Sequence, residues 1–343
     1  MDLLFLSHLD SDHINGIDRL LAACAVREVV LPYLDPEVVI AIAARDAEAG
    51  RLNGLFLDAA PDIAAWFAGR GIGQVTFIRG GDDQPSMPPD LPPPPEDGRD
   101  GEGEISAKWI PPARDLGQVS GATGATTIVR EVQANAALSI FAGGMVLDWA
   151  LIPHVHTPNE AKRRAFDAAI QAEFGHQPSP GFFTHAMQCS ICRTNLRACY
   201  DALWMDHNLV SMALYSGPLR GDRLFASVQD PFWRSLMAPG WMLTGDAHLE
   251  RTRRRDEFAR RYERVLDKVG TLMLPHHGAR ANFHPALLDL LPRLEIGFAA
   301  AGPNPYRHPH KDVRRTVNAS TWRGFHQVSH KAGTSLKARV ERR

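Results

Sequence analysis

Two imidazoles and two carboxylates fall within six residues near the amino terminus, in the stretch Ser7-His8-Leu9-Asp10-Ser11-Asp12-His13-Ile14-Asn15-Gly16. Aspartates this close repel one another, whereas a divalent cation pairs with both charges and satisfies their lone pairs. Alternation at His8, Asp10 and Asp12 points their side chains one way off an extended segment, and His13 then opens a helix. A plainer reading is a polar loop in which Asp12 caps a helix starting near Ile14. Capping accounts for one aspartate and leaves His8, Asp10 and His13 unexplained, so the chemistry expected of this stretch is metal binding.

Three later stretches carry residues of the same kinds: Leu243-Thr244-Gly245-Asp246, Leu274-Pro275-His276-His277-Gly278 and Asn304-Pro305-Tyr306-Arg307-His308-Pro309. Asp246 and His276-His277 each follow an apolar run, where α/β sheets present catalytic groups beyond the carboxyl ends of strands. Alone, Gly245-Asp246 is only a turn signal. Adjacent histidines on extended backbone point in different directions, so at most one of His276 and His277 is expected to face a cleft.

The four stretches together, in this order, resemble the motifs of the metallo-β-lactamase fold. The first is similar to its His-x-His-x-Asp-His signature, with Asp10 in place of the second histidine, a variant that resembles the hydrolase domain of bacterial competence DNA-uptake channels. The resemblance implies an αββα sandwich of two mixed sheets flanked by helices. It also implies two divalent ions, zinc or manganese and magnesium. His8, Asp10 and His207 would hold one ion and Asp12, His13 and His308 the other, with Asp246 bridging. His207 is placed four residues before Ser211; Asn208, His154 and His156 compete with it. Asp12, and whichever of His276 and His277 faces the scissile phosphate or leaving group, complete the implied catalytic set. Such an ion pair makes hydroxide from water near neutral pH and clamps both oxygens of a phosphodiester in displacement. Oxygen-weighted ligands, with Asp10 replacing an imidazole, shift preference from zinc toward manganese or magnesium.

With 343 residues, 44% of them hydrophobic, the chain has enough apolar material for one large α/β domain or two smaller ones. Lys plus Arg number 38 against 39 for Asp plus Glu, so net charge provides no long-range pull toward nucleic acid or membrane. No apolar run approaches the ~20 residues a membrane span needs, and the start lacks a basic region and cleavage site, so a cytoplasmic protein is expected. Four cysteines are too few for a disulfide framework.

Residues 2–7 read as a strand, 14–24 as a helix, 28–31 as a strand, 36–48 and 60–69 as helices, and 74–78 as a strand. That alternation predicts a largely parallel sheet within an amino-terminal half spanning 1–79. Residues 80–104, rich in Pro and acidic groups, read as a flexible insertion. Residues 105–205 fall outside the common core of the resemblance, with two or three antiparallel strands expected over 125–153 and a helix over 158–174. A carboxyl-terminal half over 206–343 carries strands at 240–246, up to Pro275, at 296–300 and twice within 323–341, with helices between them.

Cys189-Ser190-Ile191-Cys192, with Cys199 and His185, invites a zinc-knuckle reading. A helical pattern running through Leu196 and Leu203 competes with it, and no second Cys-x-x-Cys follows. The arginines between 251 and 264 offer phosphate contacts, but the acidic residues interleaved among them predict a solvated, self-paired helix.

One strand, where members of the resembled group carry more, precedes His8. The expectation is either a start placed too late or an amino-terminally truncated fold whose sheet another chain completes. Three functions follow: a phosphodiesterase or nuclease acting on nucleic acid; a hydrolase of a small ester, lactone or cyclic nucleotide on the same fold; or a non-catalytic, partner-completed subunit of a bacterial defence or signalling assembly.

Overall fold

The computed structural model describes residues 2–9, 14, 16–33, 39, 58–59, 62–80, 90–91, 104–121, 124–155, 160–175, 189–203, 211–220, 224–228, 236–302 and 306–342. In chain order the elements begin β1 (Leu3–Phe5), α1 (Ile17–Ala23), β2 (Glu28–Pro32), α2 (Ile63–Ala68), β3 (Gln74–Ile78), β4 (Ile105–Ile110), β5 (Arg114–Ser120), β6 (Thr126–Val132), β7 (Ala137–Ala142) and β8 (Met145–Val155). They continue α3 (Glu160–Phe174), α4 (Ser190–Leu203), β9 (Met212–Gly217), β10 (Leu224–Val228), β11 (Gly240–Leu243), α5 (Thr252–Tyr262), β12 (Val269–Met273), α6 (Ala286–Asp289), β13 (Ile296–Ala300), α7 (Lys311–Ser320), β14 (Phe325–Val328) and β15 (Ala338–Arg342). The architecture is α/β with two mixed sheets, and the chain divides into two compact units that interleave in sequence.

The first unit comprises residues 1–83, 113–133 and 155–210. Its five-stranded sheet runs β1-β2-β3-β6-β5, parallel except for β5. Every residue of β2 is buried, as a central parallel strand covered on both faces requires. Asp62 caps α2 by accepting the Ala65 N–H at 2.9 Å. Leu6, Val29, Leu31, Trp66 and Phe67 build the core, which also takes in Phe166 and Ile170 of α3 and Leu196 of α4. Two polar pairs stand among these strands: Thr76 donates to Glu28 at 2.6 Å, and Arg79 pairs with Glu131 at 2.6 Å.

The second unit comprises residues 84–112, 134–154 and 211–343. Its eight-stranded sheet runs β14-β13-β12-β11-β9-β8-β7-β4. The four strands from β14 to β11 are parallel, and β9 pairs antiparallel with β11. β10 and β15 form a separate two-stranded ribbon. Leu272, Leu274, Phe258, Tyr262, Leu287 and Val317 lie in the core beside the eight-stranded sheet. Gly297 lets α7 approach β13, since a Cβ there would lie 2.5 Å from Val317 Cγ1.

Several expectations need amendment. The strands of 125–153 number three, but only β7 and β8 form the hairpin across Gly143-Gly144; β6 joins the other sheet, parallel to β3. β4 and β5 were not foreseen, and they extend both sheets. Within the Pro-rich segment Asp90 pairs with Arg264, and Leu91 packs against the core of the second unit. The helix expected at 36–48 lies outside the described residues, apart from Val39. Among the described residues no helix is long and apolar enough to cross a membrane.

Candidate functional site

Three loops of the second unit follow the carboxyl ends of the adjacent parallel strands β11, β12 and β13, and they carry Asp246, His276-His277 and His308. After β11, Thr244 turns its hydroxyl onto the Met273 carbonyl at 2.7 Å, and Gly245 takes a left-handed φ of 52°. Asp246 is thereby buried, 3% exposed. Its backbone is held on both sides: the N–H donates to Ser211 Oγ at 2.8 Å, and the carbonyl accepts Asn282 Nδ2 at 3.0 Å.

Asn282 also settles the tautomer of His276. With its amide nitrogen committed to the Asp246 carbonyl, Asn282 presents Oδ1 to His276 Nδ1 at 3.2 Å, so that ring nitrogen carries the proton. In the neutral ring Nε2 is then a lone pair, 3.6 Å from Asp246 Oδ2. The two atoms thus present acceptor lone pairs side by side, a kind of donor pair that a divalent cation takes. A divalent ion therefore fits the chemistry of the donors on this side of the site.

His276 and His277 do not stand on extended backbone, as the sequence suggested. Both have left-handed φ, 48° and 54°, within a tight turn over Pro275–Gly278. His277 donates from Nδ1 to the Ala300 carbonyl at 2.7 Å, which makes its Nε2 the acceptor. The His276 and His277 ring centroids are 5.9 Å apart, and the His276 and His308 centroids 5.4 Å. Tyr306, 63% exposed, stacks on His308 at 5.9 Å with an interplanar angle of 19°. Burial, aided by His277 and His310, holds the His308 pKa below the usual histidine value, so its imidazole is neutral at pH 7.

The last two loops are pinned to each other. His310 donates its N–H to the Gly278 carbonyl at 3.0 Å, and a Cβ on Gly278 would meet Pro309 Cβ at 2.8 Å. His310 is the cap of α7 and accepts the Asp312 N–H at 3.3 Å. Among the described residues, the non-glycine residues with positive φ are His276, His277 and Arg307, all on these loops. Backbone strain of this kind collects where function needs it.

The other expected ligands divide differently. His8 lies in the first unit, buried just beyond β1, with Nδ1 hydrogen-bonded to Ser7 Oγ at 2.9 Å. Asp10, Asp12, His13, His156, His207 and Asn208 lie outside the described residues. His154 is buried in the second unit, edge-on to Tyr262 at 6.3 Å. Among the described residues no group of three His, Cys, Asp or Glu side chains is close enough to hold an ion. Sequence reasoning gave no role to Asn282 and used Ser211 only as a landmark. A lone Asn six residues beyond His276 carries no signal until the fold turns it back.

The arginine-rich helix α5 is partly core. Arg261, 1% exposed, donates to the carbonyls of Ala136 at 3.1 Å and Pro153 at 2.7 Å, and Arg255 donates to that of Leu249 at 3.0 Å. Arg253 and Arg254 pair with Glu257, the helical spacing the sequence suggested. These contacts commit much of the arginine run to the protein itself. Cys192 and Cys199 lie within the regular helix α4, with Cys189 immediately before it; His185 is outside the described residues.

No protein-family model matches the chain, and neither curated proteins nor solved structures provide a significant match.

Proposed function

We propose that the chain is a metal-dependent hydrolase of the metallo-β-lactamase class that cleaves phosphodiesters, with nucleic acid as substrate class. The observation carrying this reading is that loops after three adjacent parallel strands bring Asp246, His276 and His308 together on strained, mutually pinned backbone. The finer αββα assignment belongs to the same proposal and rests on the motif resemblance.

In this reading Asp246 and His308 are ligands, and the motif resemblance assigns the same role to His8, Asp10, Asp12, His13 and His207. Divalent cations held there would supply Lewis acidity and lower the pKa of water. His308 arrives neutral, the form a ligand needs. Asn282 orients His276 and supports the Asp246 backbone. His277, its Nδ1 proton committed to Ala300, can accept or deliver a proton at Nε2, at a phosphoryl oxygen or the leaving group.

Purified full-length chain is to be assayed on an aryl phosphodiester, single-stranded DNA and RNA with manganese, magnesium or zinc. Hydrolysis with manganese or magnesium, reduced about 100-fold or more by Asp246→Asn, is expected. Absence of hydrolysis with every metal, or Asp246→Asn activity equal to the parent's, would overturn the reading, and activity confined to zinc would overturn the preference for manganese or magnesium. Asp12→Asn tests the amino-terminal donors separately.

A further inference from the structure

We propose that Cys189 and Cys192 form a redox-active dithiol at the amino terminus of α4, a site of exchange with small disulfides. Cys189 directly precedes the first residue of α4, and its carbonyl accepts the Arg193 N–H at 3.1 Å, so it occupies the capping position of a fourteen-residue helix. Its sulfur accepts the Cys192 N–H at 3.4 Å. Residues three apart at a helix start lie within the Cα separation a disulfide tolerates. Cys199 lies two turns further along the helix, roughly 10 Å away by helical rise, and is buried. It is out of reach of either.

The two thiols are chemically unequal. Hydrogen bonds from the Cys192 thiol and from the backbone N–H groups of Cys192 and Ile191, with Arg193 adjacent, lower the Cys189 pKa. The same thiol contact, together with burial, raises that of Cys192. A nucleophilic thiolate at a helix start beside a protonated resolving thiol is the arrangement dithiol exchange uses. Structural zinc would need two further ligands to close its shell.

The Cys189 thiolate attacks one sulfur of a disulfide R–S–S–R, breaking that bond and expelling R–S⁻ with the electron pair. Cys192 then loses its proton to solvent and attacks the Cys189 sulfur of the mixed disulfide, expelling the second R–S⁻. The Cys189–Cys192 bond forms, the protein is oxidised by two electrons, and the small disulfide is reduced by two. Closing so short a loop adds little chain-entropy stabilisation, which puts the bond in the reversible class rather than the structural one.

Reduced full-length chain is to be equilibrated with oxidised glutathione, acid-quenched, alkylated and mapped by peptide mass. The expected product is a Cys189–Cys192 link, with Cys24 and Cys199 alkylated. Cys192→Ser should trap glutathione on Cys189, and Cys189→Ser should give neither link nor fast adduct. Circular dichroism checks that both variants keep their helix content. Alkylation by iodoacetamide at pH 7 should be several-fold faster at Cys189 than at Cys24. A link through Cys24 or Cys199, no link at all, or adduct formation first on Cys192 would overturn the proposal. None of these readouts depends on hydrolase activity.

Discussion

Asn282 supports two neighbours at once, since one amide orients the His276 ring and holds the Asp246 carbonyl. Removing such a support behind a ligand or acid–base group typically costs about 10–100-fold in metal affinity or rate. Asn282→Ala should therefore lower kcat/KM by about that factor while the circular dichroism spectrum is retained; a change below threefold, on the order of 0.6 kcal/mol, would deny Asn282 its role. His308 makes a second prediction. Its folded-state pKa lies below the ordinary 6.5, so as pH falls the unfolded chain takes up the proton first. Its contribution to stability is thus flat above pH 6.5 and negative as pH drops below it. The unfolding midpoint of the parent should fall more steeply than that of His308→Gln below pH 6.5, and the two should run parallel above it. The placement of Asp246 and His276-His277 just after strands was legible from the apolar runs that precede them. Asn282 was not, because a buried amide reads like any loop residue until its partners are known.

At the scale of elements, α5 shows what pattern reading misses. The i,i+3 and i,i+4 pairing of Arg254 and Arg253 with Glu257 follows from spacing alone. Arg255 and Arg261 were read as solvated because a charge counts as polar in any periodicity. The fold buries them by turning backbone carbonyls toward their guanidinium groups. Arg261→Met should then cost about 1–3 kcal/mol in urea unfolding, from the two carbonyls left without their donor, and Arg253→Met at most about 0.5 kcal/mol. Equal costs would contradict the burial argument. The turn after β12 offers a further check. Gly278 has φ +82° and no room for a Cβ against Pro309, so Gly278→Ala should destabilise by about 1–3 kcal/mol. The Cys189–Cys192 dithiol, in contrast, was visible as a spacing but not as chemistry, because only the helix start distinguishes its two thiols.

Across the whole molecule, the parallel run β1-β2-β3 and the strands around Asp246 and His276 were legible from alternating apolar runs and helices. What was hidden is the weave. β6 leaves its neighbours β7 and β8 to pair with β3, and β4 joins the opposite sheet from β5, the latter polar and glycine-containing. Sheet membership is decided by long-range pairing, which local periodicity does not encode. The metal proposal has a consequence at this scale that needs no substrate. A ligand that binds the folded chain alone stabilises it by RT ln(1 + [L]/Kd), about 2.7 kcal/mol at a hundredfold excess over Kd. Manganese should therefore raise the thermal unfolding midpoint of the parent, with a rise that grows logarithmically with concentration. The rise should vanish in Asp246→Asn, which removes the charge of a proposed ligand, and persist in Arg253→Met, which lies on exposed helix surface. A midpoint that rises equally in the parent and in Asp246→Asn would place the ion elsewhere and remove Asp246 from the donor set.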